Sequence, residues 1–397
     1  MLRQFVSWLS GRDAPEGRLR IVEQTRPGVP TPSGEEDASK YSLPDAWITC
    51  DADEDWSMII EAKAQAQVVI DQLVNHRTTA TAHGFPFATL VLITAKRPPP
   101  GLPDGVKSVR WSAVYAWFRE RRAASPWARR FAEYIEIIEA KWIARDYLMD
   151  GNLTMFTGIE TGPERVYTPQ RAKQQLKHAM EAIRAHPRCQ TIGIDPRLSG
   201  RSKIPVDPVE IWDYVKLVDT EEAAEAKCRP HFTLGIRPEG ILAVLILPNH
   251  WLGTGAGRKV LRELTYIGFT EQVTIASRRI VERLGSTPQA RPWILVQQRR
   301  ALTGQKLNVW DAQIEFDPQT AVGLQSAHQV GNVLKVQPEW LNAVYEALTR
   351  KKANVEMCLG GRMEYGYPDA QTPEFIERVL DAWEATLPLL RALNVVE

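Results

Sequence analysis

The chain has 397 residues, 44% apolar and 24% charged, a globular composition that excludes a disordered or fibrous protein and predicts two or three domains. Its 49 basic and 48 acidic residues leave a net charge of +1, which excludes a nucleic-acid coat driven by bulk positive charge. Local basic stripes stay open, because net charge says nothing about distribution.

Taken in chain order, residues 2–10 predict a short amphipathic helix stopped by Gly11, RLRIVEQ (18–24) a strand, and PGVPTPSGEEDASK (27–40) a loop. DAWITCD and WSMIIEAK, separated by the turn DADED (51–55), predict two adjacent antiparallel strands. A helix over about 66–79 puts Val68, Val69, Leu73 and His76 near one face, and FATLVLITA follows as a central strand before the loop PPPGLPDG (98–105). Residues 112–149 read as mostly helical. Trp111, Tyr115, Trp117, Phe118, Trp127, Phe131, Tyr134 and Trp142 recur along them, a stripe suited to packing against a sheet rather than to stacking bases.

GNLTMFTGIETGPE (151–164) marks a boundary, giving domains over 1–155 and 160–397. The second opens with a helix over 170–187, then two strands joined by a PEG turn within 230–249 and a helix over 258–284. WILVQQRR (293–300) and WDAQIEFD (310–317) predict strands, 339–352 and 373–393 helices, and CLGGRMEYGYP (358–368) a loop. The expected fold class is α/β, a mixed-sheet core at the N-terminus with a second α/β or α+β domain. The start of the chain is too polar for a signal peptide, and the apolar runs at 85–95 and 240–248 are too short to cross a bilayer, so cytoplasmic residence is expected. Cys50, Cys189, Cys228 and Cys358 lie far apart with no CxxC pair, which argues against a zinc knuckle and a disulfide framework.

The strongest chemical signal is Pro44-Asp45, then, after fifteen intervening residues, Glu61-Ala62-Lys63. Period-two geometry puts Glu61 and Lys63 on one face of the strand MIIEAK. If the two strands pair across the turn, Asp45 converges on Glu61. Two carboxylates with a nearby backbone carbonyl make a hard oxygen site for Mg²⁺ or Mn²⁺. Lys63 would act on an attacking water or offset charge on a scissile phosphate. Charges interrupting so apolar a strand cost free energy, and a site at a strand end explains them better than a solvated face.

Pro44, Asp45, Glu61, Ala62 and Lys63 together resemble the PD-(D/E)xK, or restriction-endonuclease-like, nuclease superfamily over roughly residues 15–150. The resemblance implies that Asp45 and Glu61 bind the divalent metal and that Lys63 assists the water. Many members carry a Gln on the following helix, and Gln72 looks like that residue. In one branch a Tyr follows four residues later, where this chain has His76. An early acidic residue often completes the metal site, with Glu23 the first candidate here and Glu16 behind it. The resemblance implies a restriction-endonuclease-like core and metal-dependent phosphodiester hydrolysis, in DNA ahead of RNA. Such chemistry often serves bacterial defence against foreign DNA. A protein partner or a homodimer stays open, and no membrane is expected. The alternative is a non-catalytic nucleic-acid-binding or assembly protein that keeps the fold.

Other signals are weaker. GTGAGRK (253–259) fails the phosphate-loop pattern, with Arg258 where a glycine should stand, and reads as a turn before a helix. His231 and His250 flank the predicted hairpin but lack a third ligand and read as ordinary histidines. Arg278, Arg279 and Arg283 on a helix, with Arg299 and Arg300 at a strand end, are candidates to touch a nucleic-acid backbone.

Overall fold

In the computed structural model the chain divides into two compact units, Met1–Met155 and Phe156–Glu397, each with its own sheet. The structure describes residues 1–23, 43–145, 151–161, 166–197, 200–201, 204–205, 207, 209–218, 228–253, 255–301, 308–322, 338–350 and 354–396. The loop expected over 27–40 lies outside them. Among the described residues no helix is long and apolar enough to cross a membrane.

The first unit runs α1 (Leu2–Ser10), β1 (Leu19–Glu23), β2 (Ala46–Cys50), β3 (Asp53–Lys63), α2 (Ile70–Ala82), β4 (Thr89–Thr94), β5 (Val106–Arg110), α3 (Trp111–Glu120) and α4 (Pro126–Ala144). Its five strands lie in chain order, with β1–β2–β3 antiparallel and β3–β4–β5 parallel. β3 is central, and Ser57 to Glu61 are buried on both faces. One face carries Ile48, Met58, Ile60, Val91 and Ile93, packed with Val6 and Leu9 of α1 and Val114 of α3. The other carries Trp47, Ile59, Leu90 and Leu92, packed with Leu73 and Ala80 of α2.

Local chemistry accounts for the helix ends. Gly11, at φ 65°, ends α1 in the left-handed region and donates its N–H to Ser7. Ser125 caps α4 by accepting from the Ala128 amide, with Pro126 at the first turn. Tyr115 and Trp117 of the aromatic stripe are buried, as packing requires, and Phe118 packs at a tilt against Phe5 and Phe131. Trp127 and Tyr134 stand in solvent, 73% and 61% exposed, so the stripe is not uniformly a packing face. The edge strand β5 has no strong sequence signal, because VKSVR is short and its side chains are exposed or half-buried.

The second unit runs α5 (Pro169–Ala185), α6 (Arg188–Thr191), β6 (Ile211–Val215), β7 (His231–Arg237), β8 (Gly240–Leu247), α7 (Asn249–Gly253), α8 (Ala256–Leu284), β9 (Ala290–Ala301), β10 (Asn308–Phe316), α9 (Pro318–Ala321), α10 (Pro338–Thr349), β11 (Val355–Met363), α11 (Phe375–Ala385) and α12 (Leu387–Ala392). The sheet is antiparallel, in the order β10–β9–β11–β8–β7–β6. One face, with Phe232, Ile241, Leu245, Ile294 and Leu359, forms the large core with α5, α8, α11 and α12. Trp383 of α11 stacks on Phe232 at 5.3 Å. α8 is broken at Thr265, whose φ of 63° departs from the single helix expected there.

The segment expected as a loop around 358–363 is instead strand β11, between β9 and β8. Its Gly-Gly pair signals close approach, not a turn. A Cβ on Gly360 would lie 2.2 Å from the Ala243 carbonyl oxygen, and one on Gly361 would press on Leu284 and Ala382.

Candidate active site

The β2–β3 register ends at Ala46 opposite Ile60, and Asp45 follows in the bend one residue before β2, level with the Glu61–Ala62 end of β3. Beyond that last pair the Ala62 amide would lack a partner, and it donates to Asp45 Oδ2 at 2.6 Å. β3 and β4 run parallel, with Lys63 beside Thr94 and the Ala95 amide donating to the Lys63 carbonyl at 3.0 Å. The Asp45–Ala62 bond and the Glu61–Lys63 pair thus both lie at the carboxyl end of the central strand.

Glu61 is 2% exposed and both of its oxygens are engaged. Oε1 pairs with Lys63 Nζ at 2.5 Å, and Oε2 accepts from His76 Nε2 at 2.9 Å. Burial alone would push the Glu61 carboxyl up. The hydrogen bonds from His76 and Lys63, with the Lys63 charge, outweigh it and leave the group below its ordinary value. A carboxylate kept ionised is the form a cation needs.

His76 is the residue the motif pattern undervalued. It is 1% exposed, and its place three residues after Leu73 and four before Ala80 puts it on the buried face of α2. That spacing was readable, but its partner was not. Gln72 lies one turn earlier on the same helix, half-buried, and makes no side-chain hydrogen bond among the described residues.

Glu23 does not join this group. It pairs with Ala46, whose partner is Ile60, so strand alternation sends its side chain to the opposite face, where it is exposed. Glu16 is likewise exposed. Among the described residues no three His, Cys, Asp or Glu side chains gather as a metal site. The donor set is two carboxylates, which suits a small hard cation that keeps several waters.

The basic residues of the second unit do not form one surface. Arg283 pairs with Glu384 at 2.7 Å, within a network that also holds Arg188, Glu377 and Asp381. It is spent on holding α8 to α11. Arg299 pairs with Glu356 at 2.7 Å on the sheet face away from α8. Arg278 and Arg279 are exposed on α8, and the side chain of Arg300 lies outside the described residues. His231 bonds the Arg229 carbonyl through Nδ1 at 2.9 Å, and His250 is exposed. Gly255 caps α8 in the left-handed region at φ 97°, the turn and helix start expected of that segment.

A scan against protein-family models and a search of curated proteins found no match to this chain.

Proposed function

We propose that the first unit is a divalent-metal-dependent nuclease of restriction-endonuclease-like build, cutting phosphodiester bonds in DNA ahead of RNA. The observation that carries this reading is Asp45 bonded to the Ala62 amide, next to Glu61, near the end of a central strand, with Lys63 paired to that glutamate. The mixed sheet, with an antiparallel β2–β3 pair followed by parallel β4 and β5 across α2, supports it.

Asp45 and Glu61 would hold Mg²⁺ or Mn²⁺, and the bound ion would supply an acidified water and charge neutralisation at the phosphate. Lys63, 17% exposed on a four-carbon stem, would orient that water and offset charge developing on the phosphate oxygens. Gln72 would support the phosphate or the water from α2. Arg278 and Arg279 would add backbone contacts, and defence against foreign DNA is the role this chemistry suits.

The test is incubation with labelled linear, circular and single-stranded DNA and with RNA, with and without Mn²⁺. Cleavage by the wild type, lost in Asp45→Ala and Lys63→Ala, is the expected result. Full cleavage by both folded variants would sink the assignment. One observation favours a second reading, a non-catalytic binding protein: both Glu61 oxygens are already satisfied within the chain. Stabilisation by Mn²⁺ that requires Asp45 separates the two.

A further inference from the structure

We propose that His76 is a positioning residue that fixes Glu61 as a one-oxygen metal ligand and so selects small octahedral cations over Ca²⁺. This rests on the metal site read above.

The two partners of Glu61 differ in mobility. His76 Nε2 holds Oε2 at 2.9 Å from a ring 1% exposed. Its helix is anchored to the sheet through Leu73 and Ala80. That contact cannot yield without repacking α2. Lys63 Nζ holds Oε1 at 2.5 Å, but the lysine is 17% exposed and sits near the end of β3. A lysine swings on its stem, so Oε1 is the oxygen that can be released to a cation. Oε2 stays tied to the imidazole. Ca²⁺ takes six to eight oxygens and readily uses both oxygens of one carboxylate, whereas Mg²⁺ and Mn²⁺ take one oxygen from each of a few carboxylates and keep waters. A glutamate offering one oxygen, beside Asp45 with Oδ2 held by the Ala62 amide, matches the second pattern. Outer partners of this kind orient metal ligands and strengthen binding.

The test is calorimetric titration of the full-length protein with Mn²⁺ and with Ca²⁺, free of nucleic acid. Four proteins are compared: wild type, His76→Leu, His76→Asn and His76→Gln. Leu removes the donor and fills much of the space. Asn is too short to reach Glu61, and Gln places an amide nitrogen near the position of Nε2. Leu and Asn are expected to weaken Mn²⁺ binding about 10-fold or more and to narrow the preference for Mn²⁺ over Ca²⁺. Gln should stay within about threefold of wild type for both ions. If His76→Leu does not fold, as judged by circular dichroism, His76→Asn decides. Wild-type Mn²⁺ affinity and ion preference in the folded Leu or Asn variant would overturn the role of His76 alone. A wild type that binds no Mn²⁺ would overturn the metal site, and this proposal with it.

Discussion

Both sheets hold carboxylates beside cations, one buried in the first unit and three half-buried in the second, yet the two groups are held in opposite ways. In the second unit each of three glutamates meets an arginine across the sheet. Arg237 pairs with Glu210 at 3.1 Å, Arg299 with Glu356 at 2.7 Å, and Arg362 with Glu315 at 3.0 Å. Burial pushes Glu210 and Glu356 above the ordinary value, and their arginines do not fully offset it. In the first unit Glu61 has two donors, His76 and Lys63, and the sum reverses to a lowered value. One arginine leaves Glu210 and Glu356 raised, whereas two donors leave Glu61 lowered. A paired charge in a sheet is therefore weak evidence of a site. A doubly held carboxylate near a strand end, with a second acid bonded to the next amide, is better evidence.

The sharpest way to break this contrast is to neutralise one glutamate of each kind. Glu61→Gln is expected to lower Mn²⁺-dependent cleavage about 100-fold or more, while Glu356→Gln leaves the rate within about twofold, measured on the same labelled DNA. Equal rates in the two variants would place the chemistry elsewhere.

Next in size is a backbone effect confined to the second unit. Gly360→Ala puts a methyl against the Ala243 carbonyl and should cost about 1–3 kcal/mol in urea denaturation. Gly253→Ala, where a Cβ meets nothing within 4 Å, should cost less than about 0.5 kcal/mol.

Acid titration separates the two kinds of carboxylate by sign. Glu384 is held at about 2 by the Arg283 hydrogen bond and, against the upward push of burial, by Arg188. Its contribution to stability is present above the ordinary value of 4.5 and is lost as pH falls toward about 2. Glu384→Gln should flatten that loss in a pH series of melting temperatures. Glu356 is raised, chiefly by burial, so its ionisation opposes folding as pH rises past 4.5, and Glu356→Gln should remove that decline.

The smallest expected effect concerns arginines. Arg283→Gln should leave DNA affinity within about twofold, because its guanidinium is committed to Glu384. Arg278→Gln combined with Arg279→Gln should reduce the salt slope of binding by about 1 for each phosphate that is no longer neutralised.

The central strands of the first unit were legible because apolar runs, a short turn and period-two charge placement all agreed over residues 45–63. Glu23, named from the resemblance alone, falls on the other face, because a residue's face depends on its pairing register and not on its strand alone. His76 was readable as a buried helix position, but its bond to Glu61 joins two separate elements, and no local spacing encodes it. The partner of Arg283 was hidden for the same reason, since Glu384 lies about a hundred residues further on, in α11. β11 misled through composition: two adjacent glycines usually mark a turn, and here they admit neighbouring strands and helices.

The strand orders carry a consequence for how the chain is made. In the first unit every described strand pairs with its sequence neighbour, so each β-strand after β1 finds an edge already waiting as it leaves the ribosome. In the second, β8 and β9 stay apart until β11, after residue 354, inserts between them. Until then two apolar edges stand unpaired in the nascent chain. The interval before β11 emerges is when this protein is most exposed to misassembly, and a ribosome stalled there would carry a finished first unit and an open second one.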